Sequence, residues 1–290
     1  MNMLSPKSTQ PLRPKQLVAA ALQNVLGWRW TARVFRHIDR ASLTALPERR
    51  VFEPELKLVP FLITKPGVVF DIGANVGEYT YVLAKTVGPR FTYAVEPVPQ
   101  LSSRLVRLFP GVTVLNLAMS DAEDTQTLKI PVIDGKPLWS RSTLEQISEA
   151  GEAGAIFEQV RLRTLDALCD EFKISDVAFI KIDVEGHEQK VLHGATKLLA
   201  RCRPVLLVEI EQRHHPEPIT GIFSWMRDRG YSGFFYDSRR MALRPVGEFS
   251  IDADQRIEML GTAEYVNNFF FVRENAAENL IAAVHRAVRS

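Results

Sequence analysis

Asp71-Ile72-Gly73-Ala74-Asn75-Val76-Gly77 follows the apolar run Val68-Val69-Phe70 and precedes a stretch with helical patterning through Lys85. Strand, tight glycine turn and helix in that order form the first unit of a parallel α/β sheet. About 20 residues past the turn, Tyr93-Ala94-Val95-Glu96-Pro97 reads as a second strand that ends in an acid. Nucleotide-binding sheets place a ribose-binding carboxylate at that position. These two segments predict a Rossmann-like, mostly parallel sheet with helices on both faces and an enzyme that holds a nucleoside-bearing cofactor.

The βα rhythm extends in both directions. Pro54 suits a first helical turn, and Glu55 to Ile63 reads as a helix that stops before Pro66-Gly67. After the second strand come a helix over Leu101–Leu108, a turn at Pro110-Gly111 and a third strand over Val112–Leu117. Residues 122–163 break the pattern: a strand over Thr125–Ile130, a loop to Ser142, partly helical character over Leu144–Phe157, and a strand over Val160–Leu162. An excursion of this size between sheet strands is expected to face substrate. The pattern returns with a helix over Leu165–Glu171, a strand over Val177–Ile182, a helix over His187–Leu199 and a strand over Val205–Ile210. A helix over Ile222–Arg229 stops at Gly230. Tyr231–Tyr236 and Phe269–Val272 then suit an antiparallel edge.

The glycine turn narrows the cofactor. Gly73 and Gly77 allow a ligand to approach the backbone, but their spacing is not that of a dinucleotide-binding turn, and Asp71 stands before them. A carboxylate there repels a pyrophosphate and suits an ammonium, such as the amino group of S-adenosylmethionine. Asn75 can donate to that cofactor's carboxylate, and Glu96 can accept from both ribose hydroxyls. Backbone groups near Ala118 to Asp121 close the third strand and can meet the adenine edge. A nicotinamide oxidoreductase is disfavoured by the missing glycine spacing.

A second group of candidates follows the fourth strand. Asp183 stands at its carboxyl end, where open α/β sheets bind ligands. Asp183 and Glu185 can hold a hydroxyl, accept its proton or help hold Mg²⁺; equally, one of them can cap the next helix. Glu209 and Glu211 are two apart and so expected on one side of their strand, and His215 is a further candidate base. Lys181 can offset the charge of Asp183. In the excursion, Trp139, Ser140 and Arg141 offer an aromatic face and polar groups for an acceptor. His214 and His215 beside two acids have no tight metal-ligand spacing, so a divalent metal is unsupported.

Composition limits the partners. The chain has 290 residues and a net charge of +2; residues 1–50 carry nine Lys or Arg against Asp39 and Glu48, a net of +7. That arm reads as helical after a Pro-rich start; it suits packing over one face of the domain, or contact with an anionic membrane surface. No apolar run reaches the roughly 20 residues of a membrane span, so the cytoplasm, including the inner membrane face, is the expected location. The two cysteines, Cys169 and Cys202, build no disulfide framework. The acidic remainder of the chain and the lack of an Asn-Pro-Pro-Tyr-type base pocket disfavour nucleic acid.

The chain closely resembles the FkbM family of S-adenosylmethionine-dependent methyltransferases. Phe70-Asp71-Ile72-Gly73-Ala74-Asn75-Val76-Gly77, Ala94-Val95-Glu96-Pro97, Asn116-Leu117-Ala118-Met119-Ser120-Asp121, Thr164-Leu165-Asp166 and Ile180-Lys181-Ile182-Asp183-Val184-Glu185-Gly186-His187-Glu188 carry the likeness. Val191 to Gly194, Arg203 to Glu209, Gly230-Tyr231 and Asn268-Phe269 continue it. The resemblance implies a seven-stranded class I methyltransferase sheet with an antiparallel edge. It places Asp71, Gly73 and Asn75 at the methionine end of the cofactor, Glu96 with Pro97 at the ribose, and Ala118 toward the adenine. It implies methyl transfer, usually to oxygen, on sugars of polysaccharides, glycolipids or oligosaccharides, or on natural products. The expected organisation is a basic extension over 1–50, a methyltransferase domain over 51–273 with an insertion at about 122–163, and a helical tail over 274–290. A non-catalytic scaffold with this fold, a nitrogen acceptor and a homo-oligomer all stay open.

Overall fold

Helix α1 (Glu55–Leu62) leads into strand β1 (Val68–Ile72), helix α2 (Glu78–Val87), β2 (Thr92–Val95), α3 (Pro99–Leu108) and β3 (Thr113–Leu115). The chain then departs into β4 (Ala118–Met119), β5 (Asp124–Ile133), β6 (Lys136–Pro137) and β7 (Glu152–Arg163). It returns through α4 (Leu165–Glu171), β8 (Val177–Ile182), α5 (Glu188–His193), α6 (Thr196–Cys202), β9 (Val205–Glu209) and α7 (Thr220–Arg227). The final elements are β10 (Tyr231–Asp237), β11 (Ala242–Pro245), α8 (Ile251–Asp254), β12 (Asn268–Arg273) and α9 (Ala277–Arg289). This is a computed structural model that describes residues 55–148 and 150–289. The expected basic extension over 1–50 lies outside the described residues.

The main sheet has eight strands in the order β11-β10-β12-β9-β8-β1-β2-β3. Pairings from β9 through β8, β1 and β2 to β3 are parallel. Strand β12 lies antiparallel between β9 and β10. The Rossmann-like sheet with an antiparallel edge is thus present, and β11 extends it by one hairpin strand. The sequence gives little warning of β11, which is four residues long and partly exposed.

Side-chain alternation divides the core into two layers, because successive residues of a strand face opposite sides. Phe70, Ile72, Ile180, Ile182, Leu206, Val208, Phe269 and Phe271 pack on one face with residues of α4 to α7. Val69, Phe179, Leu207, Phe270 and Val272 pack on the other with α1, α2 and α9. The same parity assigns Asp71, Lys181, Glu209 and Asn268 to the α2 side of the sheet.

The partly helical character expected over Leu144–Phe157 gives way to strand from Glu152 onward. Strands β5 and β7 pair antiparallel from Asp124↔Leu162 to Ile133↔Glu152, within a separate four-stranded sheet ordered β4-β7-β5-β6. Helical patterning over Leu144–Phe157 yields to the ladder, whose cross-strand contacts outweigh weak local preference. Leu128, Ile130, Leu144, Val160 and Leu162 form a small core of their own with Val98 and Ala118.

The expected helix over His187–Leu199 is two helices. Gly194 separates them because a β-carbon there would stand 2.0 Å from the backbone oxygen of Ser120. Asp166 Oδ1 and Oδ2 accept from the amides of Leu198 and Lys197 at 2.8 and 2.9 Å, which caps α6. Gly194→Ala is therefore expected to cost at least about 2 kcal/mol of stability. Gly221→Ala, in α7 with open space around it, should be neutral or stabilising. Denaturant titration checks both; equal midpoints for the two variants would refute the close approach.

Candidate active site

The glycine turn reaches the end of β8 because Gly73 has no side chain. At φ +82, a β-carbon on it would lie 1.7 Å from the carbonyl oxygen of Asp183. The amide of Asp183 donates to the Ile72 carbonyl at 2.9 Å, so the ends of β1 and β8 stay in register at this crossing. Asn75 adopts φ 47, and its amide donates to Glu96 Oε2 at 2.7 Å. Gly77, at φ +94, would carry a β-carbon 2.6 Å from the Phe109 ring. Its role is close packing of α2 against α3.

Along this carboxyl edge lies a cleft with about 560 Å³ of empty space, part of it open to solvent. At one end its wall holds Gly73, Asn75, Glu96 and Pro97, with Leu117, Ala118, Met119 and Leu128 as an apolar bed. The other end holds Asp183, Val184, Glu185 and His187. Trp139, Ser140, Ser142 and Leu144 come from the segment between β6 and β7 and complete the enclosure. Of the residues singled out in the sequence, Gly73, Asn75, Glu96, Pro97, Ala118, Asp183, Glu185, Trp139 and Ser140 are thus brought together.

Glu96 is almost wholly buried. Its Oε2 accepts from Asn75 N and its Oε1 from Val98 N at 2.8 Å. Burial pushes its carboxyl up to about 7, against the lowering effect of those two amides. Each oxygen keeps a lone pair, so the group can accept from two neighbouring hydroxyls. Asn116 Nδ2 fixes the following backbone by donating to the carbonyls of Glu96 and Pro97.

Five expected site residues have other surroundings. Asp71 lies behind the turn, on the α2 face, and accepts from Thr80 Oγ1 at 2.5 Å. Burial raises its carboxyl to about 6. Lys181, expected beside the acceptor, is buried on that same face. It donates to Asn268 Oδ1 at 2.9 Å, lies 3.7 Å from Glu209 Oε2, and stands 4.9 Å from the Tyr79 ring centre. Glu209 also accepts from Asn267 Nδ2 at 2.8 Å. His215 Nε2 lies 3.0 Å from Glu188 Oε2, so the candidate base is paired elsewhere. Asp121 is exposed and accepts from Ser120 Oγ at 3.1 Å.

Glu209 and Glu211 have separate partners; β9 ends at Glu209, and a 3₁₀ turn begins at Gln212. Glu211 is buried and bound by Arg213 Nε at 2.6 Å and Tyr265 OH at 2.7 Å. Arg141 Nη1 stands 3.4 Å from Glu211 Oε1 and 3.3 Å from Glu185 Oε2. Glu185, Glu211 and His214 offer ligand atoms within 4.8 Å of one another, and the Arg141 guanidinium already places positive charge beside both acids. Burial, then the nearby Asp183, raises the Glu185 carboxyl well above the ordinary range. Glu185 also holds a left-handed backbone, φ 52, between Thr143 Oγ1, which donates to its carbonyl at 2.7 Å, and Gly186.

The sequence places His187 at the start of the predicted helix over 187–199 and singles it out for no role in the site. His187 lines the cleft, is buried, and links Ser120 Oγ at 2.9 Å to Glu145 Oε1 at 2.7 Å. Its place within the Asp183–Glu188 motif was a usable signal; Glu145 offered none, because its partner is 42 residues away.

A family model described as the methyltransferase FkbM domain matches residues 71–232. The chain is 28% identical over 247 residues to the AMB antimetabolite synthetase AmbE of Pseudomonas aeruginosa, covering 73% of this chain and 11% of that protein. It is 26% identical over 162 residues to the hexuronic acid methyltransferase AglP of Haloferax volcanii, covering 54% of this chain and 61% of that one. The chain therefore spans only part of the length of both relatives. Among solved structures, an FkbM methyltransferase from Methylobacillus flagellatus KT aligns at TM-score 0.42 and 16% identity, over 71% of this chain and 43% of its own. An O-methyltransferase from Bacillus cereus aligns at TM-score 0.41 and 14% identity, over 88% and 96%.

The raised carboxyl of Glu96 has a consequence for stability. Its pKa in the folded chain lies above that of the unfolded chain, so its contribution is fully present below about pH 4 and is lost as pH rises through about 7. Glu96→Gln should remove that dependence and gain stability on the order of 2 kcal/mol at pH 8 relative to pH 4. Urea unfolding of both proteins across this range is the check; parallel curves would contradict the burial argument.

Proposed function

Because the chain belongs to the FkbM methyltransferase family, we propose that it transfers a methyl group from S-adenosylmethionine to a hydroxyl of a sugar or of a natural product. The carrying observation is the single cleft that joins Glu96 and the glycine turn at one end to Asp183 and Glu185 at the other. The residues present suit the cofactor. Glu96 has one acceptor lone pair left on each oxygen for a ribose diol. The opened backbone at Gly73 and Asn75 serves the methionine end, and Leu117, Met119 and Leu128 give the adenine an apolar bed. When bound, the cofactor supplies a methyl group on a cationic sulfur.

The remaining work falls to the protein. Asp183, at the end of β8, accepts a hydrogen bond from the acceptor hydroxyl and takes its proton as the new C–O bond forms. Trp139 provides a flat apolar surface for a sugar ring, and Ser140 a polar contact. Leu144, Leu128 and the insertion exclude water, which strengthens these contacts and aligns oxygen with the methyl group. The likeness to a hexuronic acid methyltransferase supports a sugar acceptor. The likeness to an antimetabolite synthetase supports the natural-product alternative. No helix among the described residues is long and apolar enough to cross a membrane. The net charge of +7 over residues 1–50 supports peripheral contact with an anionic surface at the cytoplasmic face.

The test is incubation of the protein with methyl-labelled S-adenosylmethionine and cell extract, followed by mass spectrometry of the products. Label on a hydroxyl oxygen is expected; label confined to nitrogen, or none, refutes the reading. Asp183→Asn should lower turnover about 100-fold or more while calorimetric affinity for S-adenosylhomocysteine stays near that of the unaltered protein. An unchanged rate would remove Asp183 from the proton-accepting role.

A further inference from the structure

Three segments that wall the cleft are distant in sequence: the end of β4, the loop after β8, and the insertion. One side chain touches all three. His187 belongs to the loop, its Nε2 lies 2.9 Å from Ser120 Oγ beyond β4, and its Nδ1 lies 2.7 Å from Glu145 Oε1 in the insertion. Lys190 Nζ meets the same Glu145 oxygen at 2.9 Å. Hydrogen bonding from His187, then Lys190, lowers the Glu145 carboxyl to about 2 despite partial burial. An ionised Glu145 accepts from the Nδ1–H of His187, which orients the ring and leaves Nε2 facing Ser120.

The insertion has few other fastenings of this kind. Strands β5 and β7 pair with each other along their length, so the ladder by itself sets no distance between the hairpin and the catalytic loop. Residues 139–144, which supply Trp139, Ser140, Ser142 and Leu144 to the cleft, rest on local turns, the Lys129–Thr143 bridge and the packing of Trp139 and Leu144 on the small apolar core. Across to the loop and the start of α5 run the contacts of Glu145 with His187 and Lys190, Arg141 with Glu185 at 3.3 Å, and Thr143 with the Glu185 carbonyl. Of these, the Glu145–His187 contact pairs a charged acceptor with a buried donor at short distance, the strongest class of hydrogen bond.

We propose that the Glu145–His187 contact is the latch that seats the insertion on the cleft, with His187 as a positioning residue that holds the acceptor-side wall against the adenosine-side wall. The loop from Asp183 to His187 then carries two duties: Asp183 and Glu185 face the cleft, and His187 sets how tightly the cleft is roofed. The consequence for ligand residence rests on the cofactor reading above. The latch itself does not, since it is a contact within the chain.

Hydrogen exchange by mass spectrometry on the full ligand-free chain separates the two. In Glu145→Ala, the amides of Leu138, Arg141, Ser142 and Thr143 are expected to exchange about tenfold faster or more. Paired amides of β5 and β7 and of the main sheet should keep their rates. Glu145→Gln retains an acceptor without the charge, keeps the side-chain shape if the alanine variant folds poorly, and should fall between. Unchanged exchange over 138–143, or equal loosening of the whole chain, overturns the latch. In the same proteins, S-adenosylhomocysteine should dissociate faster from Glu145→Ala while its association rate stays the same. If the unaltered protein binds no S-adenosylhomocysteine, the cofactor reading fails and the exchange result still decides the latch.

Discussion

The backbone crossing at Gly73 is the constraint on which the site depends. The turn after β1 passes so close to Asp183 that a single added carbon would overlap its carbonyl oxygen. Only glycine supplies both the positive φ and the missing side chain. From that crossing follow the approach of Asn75 to Glu96 and the placement of Asp183 across the cleft from Glu96. Gly194 acts in the same manner behind the site, where it lets the break between α5 and α6 rest on Ser120. Two glycines thus fix the spacing of three strand ends.

Charge is divided between the two faces of the sheet. Asp71, Lys181, Glu209 and Asn268 form a buried polar group on the α2 side, where paired contacts offset the cost of burial. Lys181 lies next to Asp71 in the β1–β8 register and lowers its proton affinity, against a larger opposing effect of burial. This group supports the turn from behind. On the cleft side, backbone amides hold Glu96, and Arg141 and His214 stand 3.3 Å from Glu185. Such separation lets one sheet carry many acids and still bury its centre.

The insertion forms a sheet of its own. Its strands satisfy each other's backbone groups and bury a small apolar core. Its contacts to the catalytic loop run through Arg141, Thr143 and Glu145.

Much of this was legible from local pattern. The turn at Asp71–Gly77, the acid ending β2 and the Asp183–Glu188 motif each encode their structure within a few residues, because strand period and turn chemistry are short-range. They determined the sheet, its helices and the cofactor end of the cleft. Strand parity also lay in the sequence: Lys181 alternates with Ile180 and Ile182, and Glu209 with Val208. Counting from those neighbours places both on the far face. What tertiary structure alone decided were the partners across long separations. Glu145 meets His187, Arg141 meets Glu211, and residues 152–163 become a strand because β5 stands beside them. A side chain's neighbours 40 or more residues away follow from how layers pack, and no local pattern carries that information.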